Sequence, residues 1–259
     1  MEVEPHTHFL SGDEFLLREP GFAFYYRKGH GVTVDRSDDA DPAEEALYLH
    51  GSVYAAVACI NGLMPVHASG VVINGKVIAF SGPAGAGKST LVAAMTRLGF
   101  PLFCDDTLLL AVAENGLATC LPGHKRMKLW PDSVELTESV ALDVVSADYA
   151  KYYVTPAGGD VAQPLPLGAL VFLEPGEAGS EPALIPVTGG EKIARLDDDH
   201  YTRALFDKVT RHTRAQRFAL HAALAKHISV WRYVRNKDKD NFWPPIRYLA
   251  EALSDMTAS

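Results

Sequence analysis

The sequence predicts an α/β protein with a mixed sheet, and three observations lead there. Two apolar, β-rich runs at 66–73 and 76–80 are joined by Asn74-Gly75, the dipeptide that best supplies positive φ at both centres of a type I′ hairpin turn. The second run leads straight into Gly82-Pro83-Ala84-Gly85-Ala86-Gly87-Lys88-Ser89. Residues 91–98 then carry apolar side chains at helical spacing, and a short apolar run follows at 101–104. Strand, glycine-rich loop, helix, strand is how an α/β nucleotide-binding core begins.

The remaining elements follow in order. Residues 22–26 and 32–34 flank Gly29-His30-Gly31 and predict a hairpin within an amino-terminal capping segment, residues 1–43. A charged connector at 35–45 precedes a helical pattern at 46–60 that opens the core, residues 44–190. Further strands are expected at 108–112, 117–121, 169–173 and 183–187, with a turn at Glu114-Asn115-Gly116. The stretch 152–166, with Gly158-Gly159, reads as a loop that could serve as a lid or a plain linker. Residues 191–259 read as a mostly helical carboxyl-terminal subdomain with one strand at 228–234 and a last helix at about 245–253.

Composition narrows the function. With 47% hydrophobic and 22% charged residues, the 259-residue chain has the makeup of a globular protein. The 24 basic against 32 acidic residues give a net charge of −8, which disfavours nucleic acid and anionic membrane surfaces as partners. No apolar run is long enough to span a bilayer and the first residues lack a signal-peptide layout, so the expected location is cytoplasmic. Cys59, Cys104 and Cys120 lack metal or redox spacing and are expected as buried free thiols. A homo-oligomer is left open.

The chemistry concentrates in a few places. Gly82 to Ser89 satisfies the GxxxxGK[ST] pattern of a P-loop. The backbone of Gly82, Ala84, Gly85, Ala86, Gly87, Lys88, Ser89 and Thr90 would wrap the phosphates of ATP. Lys88 adds a point charge, and the Ser89 hydroxyl would ligate Mg2+. Counting outward from the Asn74-Gly75 turn pairs His67 with Gly82, which sets this histidine beside the loop. Asp105-Asp106 follow the strand reached by the crossover helix. That strand is expected next to the P-loop strand, where one carboxylate can accept a hydroxyl proton and the other can hold magnesium. In the basic run Lys125-Arg126-Met127-Lys128, Lys125 or Arg126 could stabilise charge on a transferring phosphoryl group, with Trp130 as a wall. Glu174 closes an apolar strand in the manner of a Walker B carboxylate and is a further magnesium candidate.

The combination of His67, the loop through Lys88 and Ser89, and Asp105-Asp106 resembles the catalytic domain of HPr kinase/phosphorylase. That resemblance implies a fold of the HPr kinase and phosphoenolpyruvate carboxykinase type. It implies Asp105 as the base that takes the acceptor serine's proton, Asp106 as its neighbour near the metal, and His67 as a supporting polar group. The family's E-[IV]-R-G-L-G signature does not occur in the residues after the aspartates, and its separate amino-terminal domain is not expected. Pro122 to Trp130 stands in the signature's place and looks like the related proteins encoded beside lasso-peptide genes, some of which phosphorylate a serine of the precursor peptide. The expected function is ATP-dependent phosphorylation of a serine on a peptide or small protein. A small-molecule hydroxyl kinase and a non-kinase ATP-binding regulator are the alternatives.

Overall fold

The structure, a computed structural model, describes residues 8–146, 149–197 and 213–257. Its first unit is an antiparallel meander of four strands, β1 (His8–Ser11), β2 (Glu14–Glu19), β3 (Phe22–Arg27) and β4 (Gly31–Arg36). The expected hairpin is the β3–β4 half of this sheet. Strand alternation turns Phe15, Leu17, Phe22, Phe24 and Tyr26 to one face, where Val53, Ala56 and Ile60 pack against them. Those last three residues lie on a continuous helical run made of α1 (Pro42–Tyr48), a π-helical turn (Leu49–Val53) and α2 (Tyr54–Ile60). Asp41 starts the run by accepting a hydrogen bond from the Ala43 amide, with Pro42 preset at the first helical position.

A nine-stranded mixed sheet forms the centre. Its strands are β5 (Met64–Val66), β6 (Ala68–Ile73), β7 (Lys76–Ser81), β8 (Leu102–Cys104), β9 (Leu108–Val112), β10 (Ala118–Leu121), β14 (Leu165–Pro175), β15 (Ala183–Pro186) and β16 (Ser229–Arg235). The order runs β5-β9-β10-β14-β7-β6-β8. The long β14 pairs β10 through its first residues and β16 through its last seven, and β15 pairs β16. The β6–β7 register, Ile73 opposite Lys76 out to Ala68 opposite Ser81, is the one the two-residue turn dictates. Both turn residues have positive φ, 48° at Asn74 and 73° at Gly75.

One expectation about this sheet fails. β8 does not neighbour β7; it pairs antiparallel with β6, which lies between them. The hairpin already occupies that edge of β7, so the crossover through α3 (Lys88–Arg97) reaches one strand further. β8 still runs parallel to β7, and residues 105–106 still emerge at the end where the glycine-rich loop begins.

Alternation along the central strands sorts two cores. Ile78, Phe80, Val171 and Leu173 face α3 and the terminal helix α7 (Trp243–Thr257), together with Leu91, Ile246, Leu249 and Leu253. Val77, Ala79, Leu170 and Phe172 face the other way, toward Leu196 of α5 (Gly189–Asp197) and Leu224 of α6 (Arg214–Leu224). The carboxyl-terminal third is thus interwoven with the core: β16 lies in the central sheet and α7 on its face. Asn74 reinforces this, donating from Nδ2 to the Ser254 carbonyl (3.1 Å) and to Thr257 Oγ1 (3.0 Å).

A third sheet, unforeseen from the sequence, comprises β11 (Met127–Leu129), β13 (Tyr149–Val154) and β12 (Ala141–Ser146), joined by α4 (Pro131–Leu136). The segment 155–164 does not hang free as a lid. Leu102 of β8 donates its amide to the Gly159 carbonyl (2.9 Å) and accepts at its carbonyl from the Val161 amide (3.1 Å). All three cysteines are buried and free. Among the described residues no helix is long and apolar enough to cross a membrane.

Candidate functional site

A cleft of about 540 Å3 opens where β7, α3, β8 and β11 meet. Its floor is the glycine-rich loop and the start of α3. Gly87, with φ 91°, precedes Lys88, and α3 has no side-chain cap, so its first amides are open to a ligand. An added Cβ at Gly87 would sit 3.0 Å from Arg235 Nη2, and the left-handed φ would strain it besides. Ala84, Gly85, Gly87, Lys88, Ser89 and Thr90 all line the cleft, while Ala86 turns inward and is buried. Lys88 Nζ donates to the carbonyls of Gly82 (2.8 Å) and Pro83 (3.4 Å), which curls the lysine around the loop. Thr90 Oγ1 lies 2.9 Å from Ser133 Oγ and ties α3 to α4.

His67 lines the cleft from the β5–β6 junction, one residue beyond the last registered hairpin pair, Ala68 opposite Ser81, so the expected 66–73 strand is broken at this residue. The Ser81 hydroxyl donates to its carbonyl at 3.4 Å. Its Nδ1 lies 3.0 Å from the Asp106 carbonyl oxygen and 3.5 Å from Asp106 Oδ1. Because a carbonyl can only accept, Nδ1 carries the proton.

The two aspartates differ sharply. Asp105, expected to be the base in the site, is 1% exposed and does not line the cleft. Its Oδ1 accepts from the Ser69 hydroxyl at 2.6 Å and its Oδ2 from the Lys128 amide at 3.2 Å, so it braces β6 and β11. Asp106 is the carboxylate in the cleft. A left-handed φ of 72° turns it away from the direction of Asp105, a conformation Asp tolerates better than most residues and one that recurs at functional positions. Burial pushes its carboxyl pKa up, but the opposing charges of Lys128, His67, Lys151 and Lys88 outweigh burial and hold it below the ordinary value. Lys128 Nζ lies 3.6 Å from Asp106 Oδ2.

The basic run splits. Met127 and Leu129 point into the core, so alternation along β11 sends Lys128 the other way, into the cleft. Lys125 donates to the Phe103 carbonyl and sits over the Phe103 ring. Arg126, expected to stabilise the transferring phosphoryl group, instead lies exposed over the Tyr153 ring, 5.3 Å from its centroid, and does not line the cleft. Trp130 forms part of the wall, with Lys151 Nζ 5.2 Å from its ring centroid.

Glu174 is also outside. It sits at the end of β14 as a Walker B carboxylate would, but the parity of residue 174 matches Leu170 and Phe172, on the sheet face away from α3. There its Oε2 accepts from Arg232 Nε (2.8 Å) and its Oε1 pairs with Arg195 Nη2 (2.8 Å). The Arg232 hydrogen bond, against some burial and with help from Arg195, keeps its carboxyl pKa low. Of the three expected magnesium ligands, the cleft brings together Ser89 and Asp106. Among the described residues no three His, Cys, Asp or Glu side chains converge in a way that could hold a metal ion.

Sequence reading missed the far wall. Arg235, Lys237, Lys239 and Phe242 reach the cleft from the end of β16 and the turn before α7, and Lys151 reaches it from β13. Six cations (Lys88, Lys128, Lys151, Arg235, Lys237, Lys239) line it against three carboxylates (Asp106, Asp132, Asp238). In a chain of net charge −8 that local excess gives the cleft an electrostatic preference for anions. The available signal was the dense charge run 235–240 directly after a strand, but nothing in the sequence says which loop it faces.

No protein-family profile and no curated protein matches the chain. Among solved structures, the HPr(Ser) kinase/phosphatase from Coxiella burnetii is similar at 14% identity and a TM-score of 0.37, over 75% of this chain and 88% of that one.

Proposed function

We propose that the chain is a kinase that transfers the γ-phosphoryl group of ATP to a serine hydroxyl of a peptide or small protein, a lasso-peptide precursor being the specific candidate. One observation carries the reading: a GxxxxGKS loop at an uncapped helix start and an ionised carboxylate, Asp106, face each other within one cation-rich cleft. The loop amides and Lys88 would bind the β- and γ-phosphates. Asp106 would accept the proton of the serine hydroxyl as its oxygen attacks the γ-phosphorus. The bond from that phosphorus to the β-bridging oxygen breaks, and ADP leaves with the electron pair. Lys128 would offset the charge spread over the equatorial oxygens. Asp105, His67 and the backbone of β11 would hold Asp106 and Lys128 in place.

Magnesium fits the donor set, since Ser89 offers a hydroxyl and this ion keeps several of its waters beside phosphates, so Asp106 would reach it through a bound water with its own oxygen left free for the serine proton. It would supply charge neutralisation on the phosphates. Incubation with labelled ATP and candidate peptides, followed by mass spectrometry, tests the reading. Phosphoserine on a peptide is expected. Phosphate released with no acceptor modified would overturn the kinase in favour of an ATP-hydrolysing regulator, and label on a small alcohol would favour the small-molecule alternative.

A further inference from the structure

Arg235 is the cleft residue whose chemistry is least satisfied by the protein itself. It is 6% exposed, yet it lines the cleft, and its Nε has no hydrogen-bond partner among the described residues. A buried guanidinium is costly without an acceptor, and buried polar groups are as a rule hydrogen-bonded. Its neighbours in the wall are already engaged. Lys237 Nζ donates to the Gly85 carbonyl at 2.6 Å, and Lys239 Nζ pairs with Asp132 Oδ2 at 3.0 Å. The Arg235 backbone is fixed as well, paired with Pro175 in the parallel β14–β16 ladder, and its carbonyl accepts from the Gly176 amide at 2.8 Å. Its Nη2 lies 3.0 Å from the point where a Gly87 Cβ would be, directly against the start of α3.

We propose that Arg235 is a phosphate ligand, delivered by the carboxyl-terminal strand onto the glycine-rich loop so that a polyphosphate is gripped from two sides. An anion seated on the first amides of α3 lies within reach of the guanidinium, whose planar fork matches two phosphate oxygens. The class of ligand is a di- or triphosphate chain, because two cations from different elements, Lys88 on the floor and Arg235 from the end of β16, stand at the same uncapped helix start. The proposal deepens the nucleotide reading above and rests on it for the identity of the polyphosphate.

Calorimetric titration with inorganic tripolyphosphate and with ATP, on the wild-type protein, Arg235→Met, Arg235→Lys and Lys88→Ala, tests it, together with thermal unfolding of each protein without ligand. Arg235→Met is expected to weaken both ligands about 10- to 100-fold, with Arg235→Lys between it and the wild type, since it keeps the charge but loses the fork. The Arg235→Met protein should unfold at or above the wild-type temperature, because a buried charge without a partner has been replaced by an apolar side chain. Wild-type affinity in Arg235→Met overturns the proposal. So does a loss of affinity accompanied by a lowered unfolding temperature in both Arg235 variants, which would make the arginine a structural prop. If Lys88→Ala alone loses ATP, the assignment of Arg235 falls while the nucleotide reading stands. If Arg235→Met loses tripolyphosphate while Lys88→Ala binds ATP normally, the nucleotide reading falls and Arg235 remains an anion ligand.

Discussion

Asp106 and Glu174 both stand just beyond or at the ends of parallel-running strands of the central sheet, at the same carboxyl end, and their surroundings are opposites. Glu174 lies on the α5 face and is closed in by Arg195 and Arg232, so its charge is fully answered within the protein. Asp106 lies on the α3 face in a cleft where cations outnumber carboxylates two to one, with His67 Nδ1 and Lys128 Nζ 3.5 and 3.6 Å from its carboxylate oxygens. A network that closes on itself holds a fold together. A network with surplus charge, open to solvent, leaves its cations available to an incoming anion.

Four substitutions can break or sharpen that contrast. The largest effect on phosphoryl transfer is expected for Asp106→Asn, a fall of about 10²- to 10⁴-fold with ATP affinity changed much less, read by single-turnover kinetics beside calorimetry. Because opposing charges hold the Asp106 pKa low, the ionised form should persist on acidification, and turnover should fail only as pH drops below the ordinary carboxylate range. An acid limb near neutrality would argue for a different base. Lys88→Ala comes next, with turnover down about 10²- to 10³-fold and ATP affinity falling with it. Equal affinity in the variant would sever the glycine-rich loop from nucleotide binding.

Asp105→Asn should act on the scaffold first. One of its two accepting oxygens becomes an NH2 group facing the Ser69 hydroxyl or the Lys128 amide, at a cost of about 1–3 kcal/mol, visible in denaturant titration. Turnover should drop less than in Asp106→Asn; the reverse ranking would restore Asp105 as the base. Glu174→Gln is expected to be the mildest, within about twofold in turnover and about 1 kcal/mol or less in stability, as for a partly exposed ion pair. A collapse of magnesium dependence in that variant would show that the network on the α5 face serves the metal after all.

The parts of this arrangement that the sequence made legible are local. Asn74-Gly75 fixes its own register, and that register carries His67 to the mouth of the loop; the spacing of Gly82 to Ser89 carries its own chemistry. What stayed hidden depends on direction. Adjacent Asp105 and Asp106 are indistinguishable in composition, and a left-handed φ at one residue decides which of them enters the cleft. Glu174 stands at the strand end its sequence position predicts but on the opposite face, because parity is informative only once the position of α3 is known. The three-residue β11 is too short to announce itself within a basic run, so Lys128 could not be told from Arg126. Arg235 is far from Lys88 along the chain, and only the parallel pairing of β14 with β7 on one side and β16 on the other brings them together.

The tether between the 155–164 segment and β8 bears on what the last strand of the sheet leaves open. β8 is the last strand in the sheet order, and a bare edge there would offer Leu102's N–H and C=O as a template for a strand from another copy. Gly159 and Val161 occupy both groups, so the segment works as a cover strip over the sheet's selvage. Cutting the chain within it is expected to free those two groups and raise self-association, which light scattering before and after limited proteolysis would read; unchanged scattering would count against a protective role.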